Sequence, residues 1–264
     1  IDLPMVTTLH GTDITLVGNH PFYKSAVSFS INNSDYVTSV SEDLKKSTYE
    51  LFDTKKDIAV IPNFIEDKAD LGNSAHCRRS LFATSDERVV THISNFRKVK
   101  RIQDIIKIFY GIQKEIPAKL MMIGDGPEKA DAEKLASELG ISDRIIFFGN
   151  SHEVDSILKY SDLFLLPSET ESFGLAALEA MACSVPVISS NAGGLPEVNV
   201  NGITGYLSDI GDVENMVKNG IHILKDDQTL KEFKENALKH SKEFSVEKIV
   251  PMYESIYNEA LKDK

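Results

Sequence analysis

The sequence predicts an α/β protein built on a doubly wound parallel sheet. Short, continuous apolar runs alternate with longer segments of helical apolar spacing. This is the pattern of parallel strands that are covered by helices on both faces. The strand-like runs end in turns that contain glycine, proline or serine, so their carboxyl ends are easy to locate.

Residues 1–62 read as part of a separate α/β unit that precedes the main sheet. Ser41 can cap a helix that runs to residue 51, because a serine side chain accepts a hydrogen bond from a first-turn amide. The turn at Pro62-Asn63-Phe64 is the expected domain junction. The chain starts inside a strand-like run without an initiator methionine, so we expect further sequence upstream. The predicted strands cover residues 4–9, 36–40 and 57–61, and a first helix covers residues 22–31.

Residues 63–245 read as the doubly wound domain. Its predicted strands cover residues 88–94, 119–123, 144–148, 163–166 and 185–189. Its predicted helices cover residues 102–116, 128–139, 154–160 and 173–183. Residues 246–264 contain a further amphipathic helix, which we expect to pack back toward the N-terminal domain.

Composition excludes several classes of protein. The chain has 264 residues and a net charge of −11, which argues against general nucleic-acid binding. No apolar run approaches the roughly 18 residues of a membrane span. The two cysteines, Cys77 and Cys183, make no disulfide framework, so a cytoplasmic location is expected. The oligomeric state stays open, a homodimer included.

Ligands of open parallel sheets bind beyond the carboxyl ends of the strands, and this rule selects four loops. Gly124-Asp125-Gly126-Pro127 follows a strand, but Lys129 occupies the third glycine position of a dinucleotide fingerprint. That loop is therefore either a ligand loop or a tight turn. The segment NAGGLPE at residues 191–197 either allows close backbone approach or is simply a turn. His10, beside Gly11, is either a structural turn histidine or a side chain that points into a cleft facing the second domain. No P-loop, HExxH motif or metal-ligand spacing of histidines occurs in the sequence.

The fourth loop, residues 167–174, precedes a nearly all-apolar helix that should be buried. The amides of Phe173, Gly174 and Leu175 at the start of this helix suit a phosphate. Glu179 lies within the apolar stretch, where a carboxylate needs a partner. It is either a structural acid or an acceptor for ligand hydroxyls such as a ribose diol, and Glu171 can accept from sugar hydroxyls.

A dense basic run, residues 97–101, lies at the start of a predicted helix. Basic residues at a helix N-terminus oppose the macrodipole, which indicates an anionic ligand there. A solvated helix start is the structural alternative.

Taken together in this order, the four loops and the strand LFLLPS resemble glycosyltransferase family 4, whose fold is two facing Rossmann-like domains (GT-B). The family's E-x7-E signature matches Glu171 and Glu179 within ESFGLAALEAMA. The segments LHGTDIT, HISNFRKVKR, IPNFI and ESFGL…LEAMAC are most similar to family members of bacillithiol biosynthesis. The resemblance implies a retaining enzyme that transfers N-acetylglucosamine from UDP-GlcNAc to L-malate. It also implies that residues 1–62 are the truncated, Rossmann-like remnant of an N-terminal, acceptor-side domain, and that residues 63–245 are the Rossmann-like domain that binds the nucleotide-sugar.

The resemblance also implies residue roles. Lys100 would hold the diphosphate beside the amides near Gly174, Glu179 would bind ribose, and Glu171 would bind the transferred sugar. His10 would lie by the sugar at the reaction centre and Thr8 near the acceptor.

Two positions depart from the family pattern. The arginine that many members carry five residues before the lysine is Asn95 here, with Arg97 as a nearby substitute, and a glycine is replaced by Ser184. The family's N-terminal strand and its Gly-rich loop, which help to form the acceptor site, are not in this sequence.

The implied chemistry uses His10, Lys100 and Glu171 as catalytic groups and requires no metal or other cofactor. The sequence contains no DxD pattern and no convincing nucleophile on the acceptor side. We therefore expect same-face attack on the sugar, with the leaving phosphate helping to deprotonate the acceptor. The alternatives are a non-catalytic UDP-sugar-binding module and a GT-B-fold sugar-nucleotide epimerase.

Overall fold

A computed structural model describes residues 3–12, 14, 20–66, 79–150 and 154–262. Within them, two parallel sheets carry the fold. Cys77 lies outside the described residues. No helix in the described ranges is long and apolar enough to cross a membrane.

The larger sheet has six strands in the order β6-β5-β4-β7-β8-β9. Their bounds are β4 Arg88–Ile93, β5 Ala118–Ile123, β6 Ile145–Gly149, β7 Leu163–Leu166, β8 Val187–Ser190 and β9 Gly205–Ser208. All neighbouring pairs are parallel. From β4 the chain adds β5 and β6 toward one edge of the sheet. It then crosses back to β7, beside β4, and adds β8 and β9 toward the other edge. The strand order therefore reverses between β4 and β7, and an open parallel sheet binds its ligands at such a reversal.

Helices cover both faces of this sheet, which confirms the predicted doubly wound arrangement. Their bounds are α3 Ile102–Gln113, α4 Lys129–Glu138, α5 Val154–Leu158, α6 Leu175–Ala182, α7 Leu195–Val198, α8 Val213–Leu224 and α9 Asp227–Ser241. Strand β7 is buried along its whole length, as its uninterrupted apolar sequence predicts. The sequence interpretation did not assign β9, α8 and α9.

The smaller sheet has three strands in the order β1-β2-β3. Its elements are β1 Val6–Leu9, α1 Pro21–Asn33, β2 Tyr36–Ser39, α2 Glu42–Leu51 and β3 Ile58–Val60. Ser41 caps α2 as predicted, since its Oγ accepts from the amide of Leu44 at 3.1 Å. The predicted division at residues 62 and 63 falls between the strands of the two sheets, and it stays a prediction.

The last helix, α10 Val246–Lys262, lies against the junction between the two sheets. The hydroxyl of Tyr253 donates to the carbonyl of Ile61 at 3.4 Å. The amide of Ile65 donates to the carbonyl of Phe244 at 3.0 Å, just before the helix begins. These contacts hold the chain that links the two sheets.

Candidate functional site

An ion pair joins the two loops that follow β4 and β7. The Nζ atom of Lys100 lies 2.5 Å from Oε1 of Glu171, and the side chains are 20% and 14% exposed. The hydroxyl of Ser168 donates to the same carboxylate oxygen at 2.9 Å. Strand order brings these loops together, because β4 and β7 are neighbours. The structure thus joins two residues to which the resemblance gave separate roles.

The amino end of α6 lies directly after Glu171. Gly174 is the N-cap with φ 99°, a left-handed conformation that favours glycine. Among the described residues, the amides of Gly174 and Leu175 donate to no protein acceptor, whereas the carbonyl of Gly174 accepts from Ala177 at 2.9 Å. The side chain of Phe173 is buried and packs edge-on against Phe244 at 5.7 Å between ring centroids. Phe173 can therefore offer a ligand its backbone but not its ring.

The expectation that Glu179 is buried is wrong. Helix α6 buries Ala177, Leu178 and Ala180, but Glu179 is half-buried and Leu175 is 43% exposed. Leu175 and Glu179 are four residues apart and share one helix face. That face is open toward solvent, so a carboxylate there does not pay the full cost of burial.

The basic run separates into three environments. Lys100 pairs with Glu171, as described above. Arg101 is engaged inside the protein, since its guanidinium bonds Asp104 at 2.6 Å and Glu169 at 3.0 Å. Asn95 and Arg97 are exposed, and among the described residues neither side chain takes part in a hydrogen bond or ion pair. Arg101 is thus already neutralised by protein carboxylates, whereas Arg97 and Lys98 are exposed.

A buried histidine that the sequence interpretation overlooked supports both loops. Nδ1 of His92 lies 2.8 Å from the carbonyl oxygen of Leu165, and Nε2 lies 2.7 Å from Oγ of Ser94. A carbonyl only accepts, so Nδ1 carries the proton and Nε2 accepts from the serine. Burial, with a smaller effect from the charge of Lys100, lowers the pKa of His92 to about 4. The short strand-like run that forms β4 gave no signal for this role.

Two glycine loops pack on the backbone of this site. A Cβ on Gly193 would lie 2.0 Å from the carbonyl oxygen of Glu171, and the amide of Gly194 donates to that oxygen at 2.8 Å. In the GDGP turn, a Cβ on Gly124 would lie 1.8 Å from the carbonyl oxygen of Ser94. Both loops are thus held by close backbone approach at the carboxyl edge of the sheet.

A cleft of about 490 Å³ opens between the two sheets. Thr8 and His10 line it from the smaller sheet, and Leu175 lines it from the start of α6. His10 is exposed, whereas Thr8 is half-buried and its hydroxyl accepts from Thr38 at 2.9 Å. Asn63, Phe64, Val250, Tyr253 and Tyr257 complete the lining.

Comparison with known families matches both parts of the chain. Residues 75–240 match the family described as "Glycosyl transferases group 1", and residues 1–69 match "Glycosyltransferase Family 4". A curated relative from Bacillus anthracis, N-acetyl-alpha-D-glucosaminyl L-malate synthase, is 44% identical over 99% of this chain and 69% of its own length.

Solved structures match the fold. A sucrose-phosphate synthase from Thermosynechococcus elongatus aligns with TM-score 0.83 at 23% identity, over 98% of this chain and 68% of that one. HepE of Anabaena in complex with UDP aligns with TM-score 0.79 at 20% identity, over 97% and 72%. The predicted GT-B fold is confirmed, and the chain belongs to the group 1 and family 4 glycosyltransferases.

Proposed function

We propose that the protein transfers N-acetylglucosamine from UDP-GlcNAc to the hydroxyl group of L-malate with retention of configuration. The observation that carries the proposal is the cation of Lys100 beside the acid of Glu171 and the unused amides that start α6. The name of the B. anthracis relative supports the choice of sugar and acceptor.

The donor diphosphate binds at Lys100 and at the amides of Gly174 and Leu175. Glu171 neutralises Lys100 at 2.5 Å. A diphosphate carries more negative charge than a carboxylate, so it takes the ammonium group, and Glu171 becomes an acceptor for sugar hydroxyls. Glu179 lies one helical turn beyond Leu175 and accepts from the ribose hydroxyls.

The transfer forms one bond and breaks one at the same face of the sugar. The hydroxyl oxygen of malate bonds to the anomeric carbon, and the bond from that carbon to the β-phosphate oxygen breaks with its electron pair leaving on UDP. The malate hydroxyl proton passes to the leaving phosphate. Lys100 and the helix amides stabilise the negative charge that develops there.

His10 and Thr8 approach the same reaction centre from the smaller sheet. Both line the cleft that also reaches Leu175 at the start of α6. We assign His10 to the transferred sugar and Thr8 to the acceptor. Asn95 and Arg97, which are exposed on the loop after β4, complete the donor side.

A release assay tests the proposal. UDP production from UDP-GlcNAc is measured with L-malate, with no acceptor, and with D-malate as a matched control, and the product anomer is read by proton NMR. We expect malate-dependent UDP release and an α-linked product, as in the donor. An inverted product, or a glycosyl adduct trapped on a side chain, contradicts the mechanism.

Two alternatives give different results in the same assay. A UDP-sugar-binding module binds UDP but releases none from the donor, with or without malate. A sugar-nucleotide epimerase acts on UDP-GlcNAc equally well without malate and changes the sugar in the donor. Either result overturns the transferase proposal.

A further inference from the structure

We infer that Glu197 and Ser41 are positioning residues that hold the smaller sheet against residues 167–174, the donor loop, and so set where His10 and Thr8 lie at the reaction centre. We call Glu197, Ser41 and their two contacts the latch. The inference rests on the proposed function, because it concerns how the acceptor side meets the donor side.

The first contact is made by the carboxylate of Glu197 at the amino end of α2. Its Oε2 accepts from the amide of Glu42 at 2.9 Å, and its Oε1 accepts from the amide of Asp43 at 3.0 Å. The first amides of a helix lack partners inside the helix. Ser41 already satisfies the amide of Leu44. The other first-turn amides are therefore satisfied by a residue from the larger domain, more than 150 positions further along the chain.

The second contact is made by the same capping serine. The hydroxyl of Ser41 donates to the carbonyl of Ser172 at 2.6 Å. Ser172 is the residue between Glu171 and Phe173 in the donor loop. A Cβ on Gly11 would lie 1.6 Å from Oγ of Ser172, so the backbone beside His10 packs directly on this loop.

Glu197 is itself tied to Glu171 through the loop that precedes it. The amide of Gly194 donates to the carbonyl of Glu171 at 2.8 Å. Glu197 lies in α7, which starts immediately after Gly194. The latch therefore holds α2 in two places. One is the donor loop itself, and the other is α7, whose preceding loop contacts the backbone of the donor loop.

On the other side, Ser41 is tied to Thr8. Ser41 follows the end of β2 at Ser39, and β2 pairs in parallel register with β1, where Thr38 lies opposite Thr8. The hydroxyls of these two threonines are bonded at 2.9 Å. A rotation of α2 away from Glu197 would carry Thr8 and His10 with it.

The electrostatics give Glu197 a specific task. The first turn of α2 already contains Glu42 and Asp43, so the favourable charge for its dipole is present without Glu197. A third carboxylate also repels these two acids, and its two directed hydrogen bonds to the amides of Glu42 and Asp43 help to offset that repulsion. The latch therefore requires the position of the two carboxylate oxygens of Glu197, and not merely a negative charge at this end of the helix.

The test compares Glu197→Gln with Asp226→Asn. Glutamine keeps the size of the side chain but presents one amide nitrogen to a backbone donor. Asp226 is the matched control, because its carboxylate caps α9 by accepting from the amide of Thr229 at 2.7 Å, within the larger domain. UDP affinity, the KM for malate, kcat, and the ratio of sugar transfer to donor hydrolysis are measured for both variants.

We expect Glu197→Gln to keep UDP affinity within about threefold of the wild type. The ratio of transfer to hydrolysis should fall roughly tenfold or more, because misplaced reacting groups lose rate steeply. Asp226→Asn should leave that ratio unchanged. An unchanged ratio in Glu197→Gln, or an equal loss in both variants, overturns the latch.

Hydrogen exchange separates this inference from the proposed function. The amides of Glu42 and Asp43 should exchange faster in Glu197→Ala than in the wild type and stay protected in Asp226→Asn. If the wild type transfers no sugar, the proposed function fails while this measurement still tests the contact. Unchanged exchange at both amides overturns the latch whatever the activity.

Discussion

The ammonium group of Lys100 lies 2.5 Å from the carboxylate of Glu171, although 71 residues separate them along the chain. The pair forms because β4 and β7 are neighbours in the sheet and each strand delivers one partner to the same edge. Both side chains are mostly buried, so each would be costly to leave alone. Under the proposed function, this pair is where the donor diphosphate exchanges with Glu171.

Replacing Lys100 with methionine should weaken UDP binding. The substitution removes the cation but keeps most of the apolar stem. Charge-assisted hydrogen bonds contribute about 1.5–3 kcal/mol, so the dissociation constant should rise roughly tenfold to a hundredfold. Calorimetric titration with UDP measures it. Lys98→Met is the control, because Lys98 is exposed on the same short turn; equal effects of the two substitutions would count against a specific role for Lys100.

Replacing Glu171 with glutamine should separate binding from transfer. The neutral side chain no longer competes for Lys100, so UDP should bind as tightly as in the wild type or more tightly. Sugar transfer should fall, since the carboxylate that accepts from the sugar hydroxyls is gone. The two quantities are read by calorimetry and by the UDP-release assay. An unchanged transfer rate would mean that Glu171 serves only as the partner of Lys100.

His92 should make the protein less stable as the pH falls from 7 to 5. Its pKa is lowered to about 4 in the folded protein, so the unfolded chain binds a proton first, near pH 6.5. The free energy of unfolding therefore falls by roughly 2 kcal/mol between pH 7 and pH 5 because of this residue. Urea unfolding at both pH values measures the loss. In His92→Gln the loss of unfolding free energy between pH 7 and pH 5 should be smaller by that amount, whatever the stability of the variant at pH 7. If the loss is the same in both proteins, His92 is not its source.

The sequence predicted the strands and turns at this edge of the sheet but not the pairing of Lys100 with Glu171. The strand LFLL and the glycine turns follow from local pattern, because an apolar run and a turn are short-range features. The contact of Lys100 with Glu171 depends on strand order. The hydrogen bonds of Arg101 to Asp104 and Glu169 likewise depend on the direction of the chain at Arg101, whose backbone is left-handed with φ 53°.

The burial of single residues was also hard to predict. Helix α6 has so few polar residues that its sequence shows no solvent face, yet Leu175 and Glu179 are partly open. Strand β9 has only four residues, and two are glycine and serine, so its sequence resembles a turn. In both cases tertiary contacts decide what local propensity leaves open.

Alanine at Gly193 should destroy the donor site, whereas alanine at Gly202 should not. Both glycines have positive φ, at 57° and 75°, so each substitution costs about 1–2 kcal/mol of backbone strain. At Gly202 no atom of the described residues lies within 4 Å of the new Cβ, while at Gly193 it would lie 2.0 Å from the carbonyl oxygen of Glu171. Thermal unfolding and UDP titration compare the two. Similar UDP affinity in both variants would show that the loop at residues 193–194 does not shape the site.

We propose that the donor binds along the segment from Glu171 to Glu179. The most direct test is to titrate the wild type and Glu179→Ala with UDP and with inorganic pyrophosphate. If Glu179 holds the ribose and Lys100 with the helix amides holds the phosphates, the substitution weakens UDP binding by about 1.5–3 kcal/mol and leaves pyrophosphate binding unchanged. If Glu179→Ala binds UDP as tightly as the wild type, or loses both ligands equally, the donor does not lie along this helix as proposed.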